Sequence, residues 1–171
     1  MFYSKRSLIL TAIAAIFGGV FLHFFYSWFP NPFTALVSPI NESLWEHCKL
    51  VFWPGLVSAL WLTRGRPGGI RPWLLCIPLQ CVLMLVFGYI YHIFLGGEAL
   101  WVDIVLYLLV MLFGFALAPT FSGPFAGWKW QLPLFATALL AFLLLFFTLY
   151  PPQHILFSDL SGAPTWITLP C

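Results

Sequence analysis

Long apolar runs separated by short connections make up almost the whole chain. The five runs cover residues 8–28, 43–62, 73–94, 100–117 and 132–150. Each is about as long as the roughly 18 residues that indicate a membrane-spanning helix. Proline and glycine gather in the connections, where they end helices. The pattern predicts an all-α integral membrane bundle of five transmembrane helices, forming one domain over residues 1–171 with a mixed polar tail at residues 151–171.

Composition supports this prediction and excludes a soluble domain. Of 171 residues, 62% are hydrophobic and 7% are charged, whereas about a quarter of the residues of a soluble domain are charged. We therefore expect the protein to lie in a lipid bilayer. A net charge of +2 is too small to indicate a nucleic-acid partner. The first run is longer than a signal-peptide core and ends in aromatic residues, which indicates an uncleaved span.

The basic residues give the expected orientation. On a five-span map, six of the seven lysines and arginines fall on one side, namely Lys5, Arg6, Arg64, Arg66, Arg71 and Lys129. Lysine and arginine in short loops mark the cytoplasmic side of a membrane protein. We therefore expect a multi-pass protein of the cell (inner) membrane, with a cytoplasmic amino terminus and an extracytoplasmic carboxy terminus.

On the same map, every acidic residue and every histidine falls at the outer end. Ionisable groups at membrane depth cost about 2.5 kcal/mol or more, and they face the bundle interior, a partner or a water-filled cavity. We expect a shared polar pocket in the outer leaflet, formed by His23, Glu46, His47, His92 and Asp103. Acidic and histidine residues in the connections are explained equally well by longer, polar outer loops.

The start of the second run also has a structural interpretation. Ser43 and Glu46 match a capping box, in which the two side chains satisfy backbone donors at a helix start. Lys49 can pair with Glu46 three residues before it, or with Glu42 two turns back. A helix cap and an ion pair would account for these residues without any activity, but they leave His47 unexplained.

The stretch from Pro39 to Lys49 reads Pro-x-Asn-Glu-Ser-x-Trp-Glu-His-x-Lys. It resembles the signature of a family of small bacterial and archaeal multi-pass proteins, a domain of unknown function. The similarity extends to His23, to Asn31-Pro32 and to the Trp101-x-Asp103 pair. The resemblance implies a five-span layout and a signature site from Asn41 to Lys49, but no activity.

One functional hypothesis is an enzyme at the outer leaflet, with a divalent metal such as zinc as its cofactor. Imidazole and carboxylate groups from separate helices are suitable zinc ligands. The candidate metal ligands are His47, His23, His92 and Asp103, with Glu46 as an alternative oxygen ligand, and the candidate catalytic residues are Glu42, Glu46, Lys49 and Asn41. Glu42 or Glu46 would be the general base and Lys49 would stabilise an anionic oxygen. A lipid-like substrate would enter from the bilayer. A metal-free acid–base site is an equally open form of this hypothesis.

Two other classes remain open. Intramembrane acids and histidines also build proton and cation pathways in transporters and sensors. The inner halves of the runs are almost entirely apolar, however, so such a pathway would have to form between protomers of a homo-oligomer. A structural or accessory subunit, whose polar face docks a partner, is the third class. The one-sided distribution of polar residues favours a binding or catalytic pocket.

Overall fold

The protein is all-helical in the part of the chain that the computed structural model describes, residues 3–161. Six α-helices follow one another: α1 (Lys5–Trp28), α2 (Pro32–Val37), α3 (Leu44–Leu62), α4 (Ile70–Gly88), α5 (Leu100–Leu117) and α6 (Leu132–Leu149). The connections contain short 3-10 turns at Pro67–Gly69, Ala118–Thr120, Trp128–Trp130 and Ile155–Phe157. The five longer helices coincide with the five apolar runs. The last ten residues of the predicted carboxy-terminal tail, 162–171, lie outside the described residues.

Four of the helical segments are long and apolar enough to cross a membrane. They are Lys5–Trp28, Ile70–Phe94, Leu100–Thr120 and Trp128–Leu149, with hydropathies between 2.1 and 2.4. Helix α3 has 19 residues and contains Glu46, His47 and Lys49, and it is not among them. The structure thus supports a multi-pass membrane protein, while a fifth span and the direction of insertion stay predictions.

Helix α3 is the centre of the bundle and packs against α1, α4 and α6. Its side chains Cys48, Val51 and Phe52 are fully buried. The outer helices instead expose large apolar side chains such as Phe17 of α1, which is 67% exposed. Apolar groups facing outward all along a helix are stable against lipid rather than water. Glu46 and Lys49 therefore lie on the long helix that its neighbours enclose.

Helix α2 lies where the sequence predicts a loop over residues 30–42. Asn31 caps it, because its side-chain oxygen accepts the backbone N–H groups of Phe33 and Thr34 at 2.9 and 3.1 Å. Pro32 occupies the first turn, where its missing N–H and fixed φ fit a helix start. An asparagine followed by proline is a helix-start signal, so the sequence does contain the evidence for this element.

A π-helical turn, Tyr89–Phe94, extends α4 at the end that carries His92. Its wider spacing is seen in the bond from the Leu95 N–H to the Ile90 carbonyl, five residues earlier, at 2.9 Å. Such turns change the direction of the side chains that follow, and they are frequent at functional sites. Here the turn brings the imidazole of His92 next to the Gly97 carbonyl, 2.9 Å from its Nδ1.

The orientation can be tested with single cysteines in a Cys171→Ser background, since Cys48, Cys76 and Cys81 are buried. Gly68 has open space around it and Glu98 is exposed. We expect a membrane-impermeant maleimide to label Glu98→Cys in intact cells, and Gly68→Cys only after permeabilisation, because lysine and arginine in short loops mark the cytoplasmic side. Labelling of the two positions in the opposite order would show that the chain is inserted the other way round.

Candidate functional site

A cavity of about 780 Å³ lies at one end of the bundle, where α1 and α4 end and α3 and α5 begin. Ionisable side chains from four helical segments and two loops line it: His23, Glu42, His47, His92, Glu98 and Asp103. Four of the five residues expected in the shared polar pocket therefore face one space. Glu46, the fifth, does not line the cavity.

Three of these side chains form a compact group, the His23–Glu42–His47 cluster. One ligand atom from each residue can be chosen so that all three lie within 4.8 Å of one another. His47 Nε2 is 3.3 Å from Glu42 Oε2, and His23 Nε2 is 3.8 Å from Glu42 Oε1. The two imidazole rings are 5.5 Å apart between centroids. The cluster joins α1, the loop before α3, and α3 itself.

The local fold fixes the His47 ring. Ser43 caps α3, its Oγ accepting the Glu46 N–H at 3.3 Å, and its carbonyl lies 2.8 Å from His47 Nδ1 one turn later. A carbonyl only accepts hydrogen bonds, so Nδ1 carries a proton and Nε2 is the nitrogen presented to Glu42. This is the arrangement by which proteins orient a ligating histidine, because a backbone acceptor selects the tautomer.

Glu42 is held in its charged form. The hydrogen bond from His47 lowers the pKa of the Glu42 carboxyl, and the nearby His23 and His47 charges act in the same direction. Partial burial and the charge of Asp159 oppose the shift without reversing it. Glu42 is half-exposed in the loop, so the carboxylate can be reached from the cavity. Metal binding requires an oxygen ligand in this ionised state, so Glu42 could hold a metal.

His92 and Asp103 form a second pair in the same cavity. His92 Nε2 is 2.8 Å from Asp103 Oδ1, and the other ring nitrogen faces the Gly97 carbonyl. Within residues 3–161 this pair is not part of a group of three ligand atoms. The structure thus divides the predicted metal ligands, bringing His23 and His47 together with Glu42 and pairing His92 with Asp103 beside them.

Glu46 and Lys49 are buried in the bundle, outside the cavity. Lys49 Nζ donates to the Ala35 carbonyl at 2.7 Å, to the Ser38 carbonyl at 3.3 Å and to Glu46 Oε2 at 2.5 Å. An ammonium group has three donors, so all of them are used. The pairing with Glu46 that the sequence suggests is present. Lys49 does not approach the cavity, where the enzyme hypothesis would use it.

Glu46 connects three parts of the fold through its carboxylate. Besides Lys49, it accepts the Ile40 N–H at 3.0 Å and the Thr148 hydroxyl of α6 at 3.3 Å. The carboxylate therefore does not turn back to the helix start as a full capping box requires. That place is taken by Asn41, whose side-chain oxygen accepts the Ser43 N–H at 3.1 Å. Asn41 shapes the turn into α3.

Ser38 extends this buried network to α1. Its hydroxyl donates to the Leu22 carbonyl and accepts the Tyr26 N–H at 3.0 Å. These bonds fix the last turns of α1 against the loop that Lys49 holds. His23, which follows Leu22, is positioned by the same contacts. Sequence reasoning did not identify Ser38, and a single serine in a loop gives no distinguishing signal.

The floor of the cavity is formed by Tyr107 of α5, one turn below Asp103. Its hydroxyl donates to the Ile16 carbonyl of α1 at 3.0 Å. This close approach requires Gly19, since a Cβ at that position would lie 2.0 Å from the tyrosine oxygen. Leu160 and Ser161, from the segment after α6, contribute to the lining. Nothing in the sequence around those two residues indicates this position.

Comparison with known proteins identifies the family of the chain. Residues 1–163 match the family of unknown function DUF6512, so the chain belongs to that family. Neither the curated proteins nor the solved structures give a match. The chemistry of the site therefore has to be argued from its own residues.

The buried ion pair allows a prediction about stability. We expect Lys49→Met to destabilise the protein by about 3–5 kcal/mol, because it leaves Glu46 without its cation in a buried position. Unfolding in detergent, followed by tryptophan fluorescence, measures the change. The matched control is Glu46→Gln with Lys49→Met, which removes both charges and should recover much of the loss. Equal stability of the single and double variants would contradict a buried charge pair.

Proposed function

We propose that the protein is a membrane-embedded enzyme that depends on a divalent metal, bound by the His23–Glu42–His47 cluster. The observation that carries the proposal is the convergence of three ligand atoms within 4.8 Å at the wall of a cavity. Two histidines and one carboxylate are the protein ligands of well-known catalytic zinc sites, in which the fourth position is left for water or substrate. Here that position would face the cavity.

The distances support a zinc-sized ion. With metal–ligand bonds of about 2.0–2.1 Å, the ligand atoms of a tetrahedral site lie about 3.3 Å apart. The His47 Nε2–Glu42 Oε2 separation of 3.3 Å has this value, and the His23 Nε2–Glu42 Oε1 separation of 3.8 Å is half an ångström longer, the two distances ending on different oxygens of the carboxylate. With one ligand atom taken from each residue, the three lie within 4.8 Å of one another, so the side chains of His23 and Glu42 would turn towards His47 to bind an ion. Binding would replace the proton that His47 Nε2 shares with Glu42.

Hydrolysis is the reaction class that these groups serve best. A bound dication would act as a Lewis acid and make water a better nucleophile. The water oxygen would bond to the reacting carbon or phosphorus of the substrate, and the bond to the leaving group would break. Water loses one proton and the leaving group gains one. The His92–Asp103 pair, which lines the same cavity, would carry that proton.

Transport is the alternative function, and the described contacts favour it less. Below the cavity, Tyr107 bonds across to α1, and the next layer contains the fully buried Phe52 and Met111. Gln80 is polar, but its amide donates to the Val110 carbonyl at 2.9 Å. A path for ions through a single protomer would have to open this packing. A pocket open at one end serves binding and catalysis without such a change.

We propose that this pocket lies at the outer face of the cell (inner) membrane.

Metal content is the first test of this proposal. We expect the purified protein to hold about one zinc per chain after equilibration, matching a single three-ligand site. His47→Ala and Glu42→Gln should each lower the zinc content several-fold, because each removes a ligand. His92→Gln should retain the metal while losing activity. Elemental analysis and a competitive chelator titration measure the content and the affinity.

The control is His154→Ala, a change at the exposed histidine outside the cluster, whose Nδ1 accepts the Leu156 N–H at 3.3 Å. It should bind zinc like the unchanged protein. The elution volume and melting temperature of each variant are compared with those of the unchanged protein, so that loss of folding is not mistaken for loss of a ligand. Absence of metal from the folded protein, or equal zinc in His47→Ala and His154→Ala, would refute the proposed site.

A further inference from the structure

We infer that the cavity takes a membrane amphiphile with an uncharged head, which enters sideways from the bilayer between α1 and α5. The inference rests on the proposed function, since it names the substrate class of the same cavity. It is carried by three features of the lining: an apolar rim exposed on two candidate spans, apolar side chains behind it, and a polar end with no lysine or arginine among its described residues.

The entrance is indicated by residues that both line the cavity and are exposed on the outside of the bundle. On α1 these are Val20 and Phe24, each 46% exposed, and on α5 they are Leu100 and Ile104, 70% and 50% exposed. Both helices are long and apolar enough to span a membrane. The exposed rim would therefore meet hydrocarbon, and the cavity would open to lipid as well as to water.

The depth of this opening is set by the contact between α1 and α5. The two helices touch where the Tyr107 hydroxyl reaches the Ile16 carbonyl across Gly19. Val20 and Phe24 follow Gly19 along α1, and Ile104 precedes Tyr107 along α5, so the gap lies on the polar side of the contact. At 1.5 Å per residue, it extends for roughly 8 Å along α1. That is enough for a head and the first carbons of a chain.

Apolar side chains also line the cavity behind the rim. They include Leu44 and Leu50 of α3 and Met84 of α4, and the two leucines lie on the same face of α3 as His47. Ligand sites of this kind bury hydrocarbon against apolar side chains and use a few polar groups to fix the orientation. An amphiphile would place its chain against these apolar side chains and its head at the His23–Glu42–His47 cluster.

The charges at the polar end select against an anionic head. Three carboxylates line the cavity, from Glu42, Glu98 and Asp103, and no lysine or arginine is among the described lining residues. Proteins bind phosphate groups chiefly through arginine and lysine. A dication in the cluster would be offset by the carboxylates of Glu42 and Glu98. Hydroxyl and ester oxygens can ligate a metal or accept a proton from His92 without adding a further negative charge to the cavity.

The test compares two photoreactive lipids with identical acyl chains, a diacylglycerol and the corresponding phosphatidic acid, on the full chain in nanodiscs. Labelled peptides are identified by mass spectrometry. We expect the diacylglycerol to label the cavity segments of α1 and α5 several-fold more than the phosphatidic acid. Ile104→Trp should fill the entrance and lower this labelling several-fold, and Val20→Trp should do the same from the opposite rim.

The matched control is Leu109→Trp, on the same helix and 57% exposed, but outside the cavity lining. Its labelling should equal that of the unchanged protein. Equal labelling by the two lipids, or equal labelling of the Ile104→Trp and Leu109→Trp variants, would overturn the inference.

Zinc content is measured on the same samples to separate the two proposals. Zinc without selective labelling overturns the substrate inference and leaves the metal site standing. Selective labelling of the cavity without zinc supports the lipid-binding inference and overturns the metal-dependent enzyme.

Discussion

The bundle is organised around the buried ammonium group of Lys49. A charge at this depth is stable only if its hydrogen bonds are satisfied and an opposite charge is adjacent. The two conditions are met by the carbonyls of Ala35 and Ser38 and by the carboxylate of Glu46. Through these partners, and through the bond from Ser38 to α1, one side chain connects α1, α2, α3 and, by way of Glu46 and Thr148, α6.

This network also positions the candidate site, although none of its charged members belongs to it. Ser38 holds the turn of α1 that carries His23, and Glu46 holds Ile40 immediately before the turn that carries Glu42. Successive residues on a helix point about 100° apart. With Glu46 directed into the bundle, His47 is therefore turned towards the cavity. A stretch of eight residues, 42–49, thus supplies a structural ion pair on one side and ligand candidates on the other.

The sequence was sufficient to predict the helical fold and a pocket in which polar residues gather, because both follow from where the apolar runs begin and end. It was not sufficient to predict that the candidate ligands form two groups, the His23–Glu42–His47 cluster and the His92–Asp103 pair. His92 is turned towards Gly97 and Asp103 by a π-helical turn, and the apolar run that forms it does not reveal an extra residue per turn. Glu42 lies in a loop whose course depends on Lys49. The predicted capping box is present only in part. The Ser43 side chain accepts the Glu46 N–H as predicted, but Asn41, and not Glu46, satisfies the Ser43 N–H.

The burial of Lys49 determines the charge of the cavity. An ammonium group free to turn towards His23 and Glu42 would neutralise the carboxylate and repel a cation, and such repulsion is strong where water is scarce. With all three donors of Lys49 bound elsewhere, the described lining has carboxylates and imidazoles but no permanent positive charge. In a site of that composition no permanent positive charge balances the carboxylates, and a divalent ion can provide that charge. The interaction that holds the helices together is therefore also what keeps a permanent positive charge away from the proposed metal site.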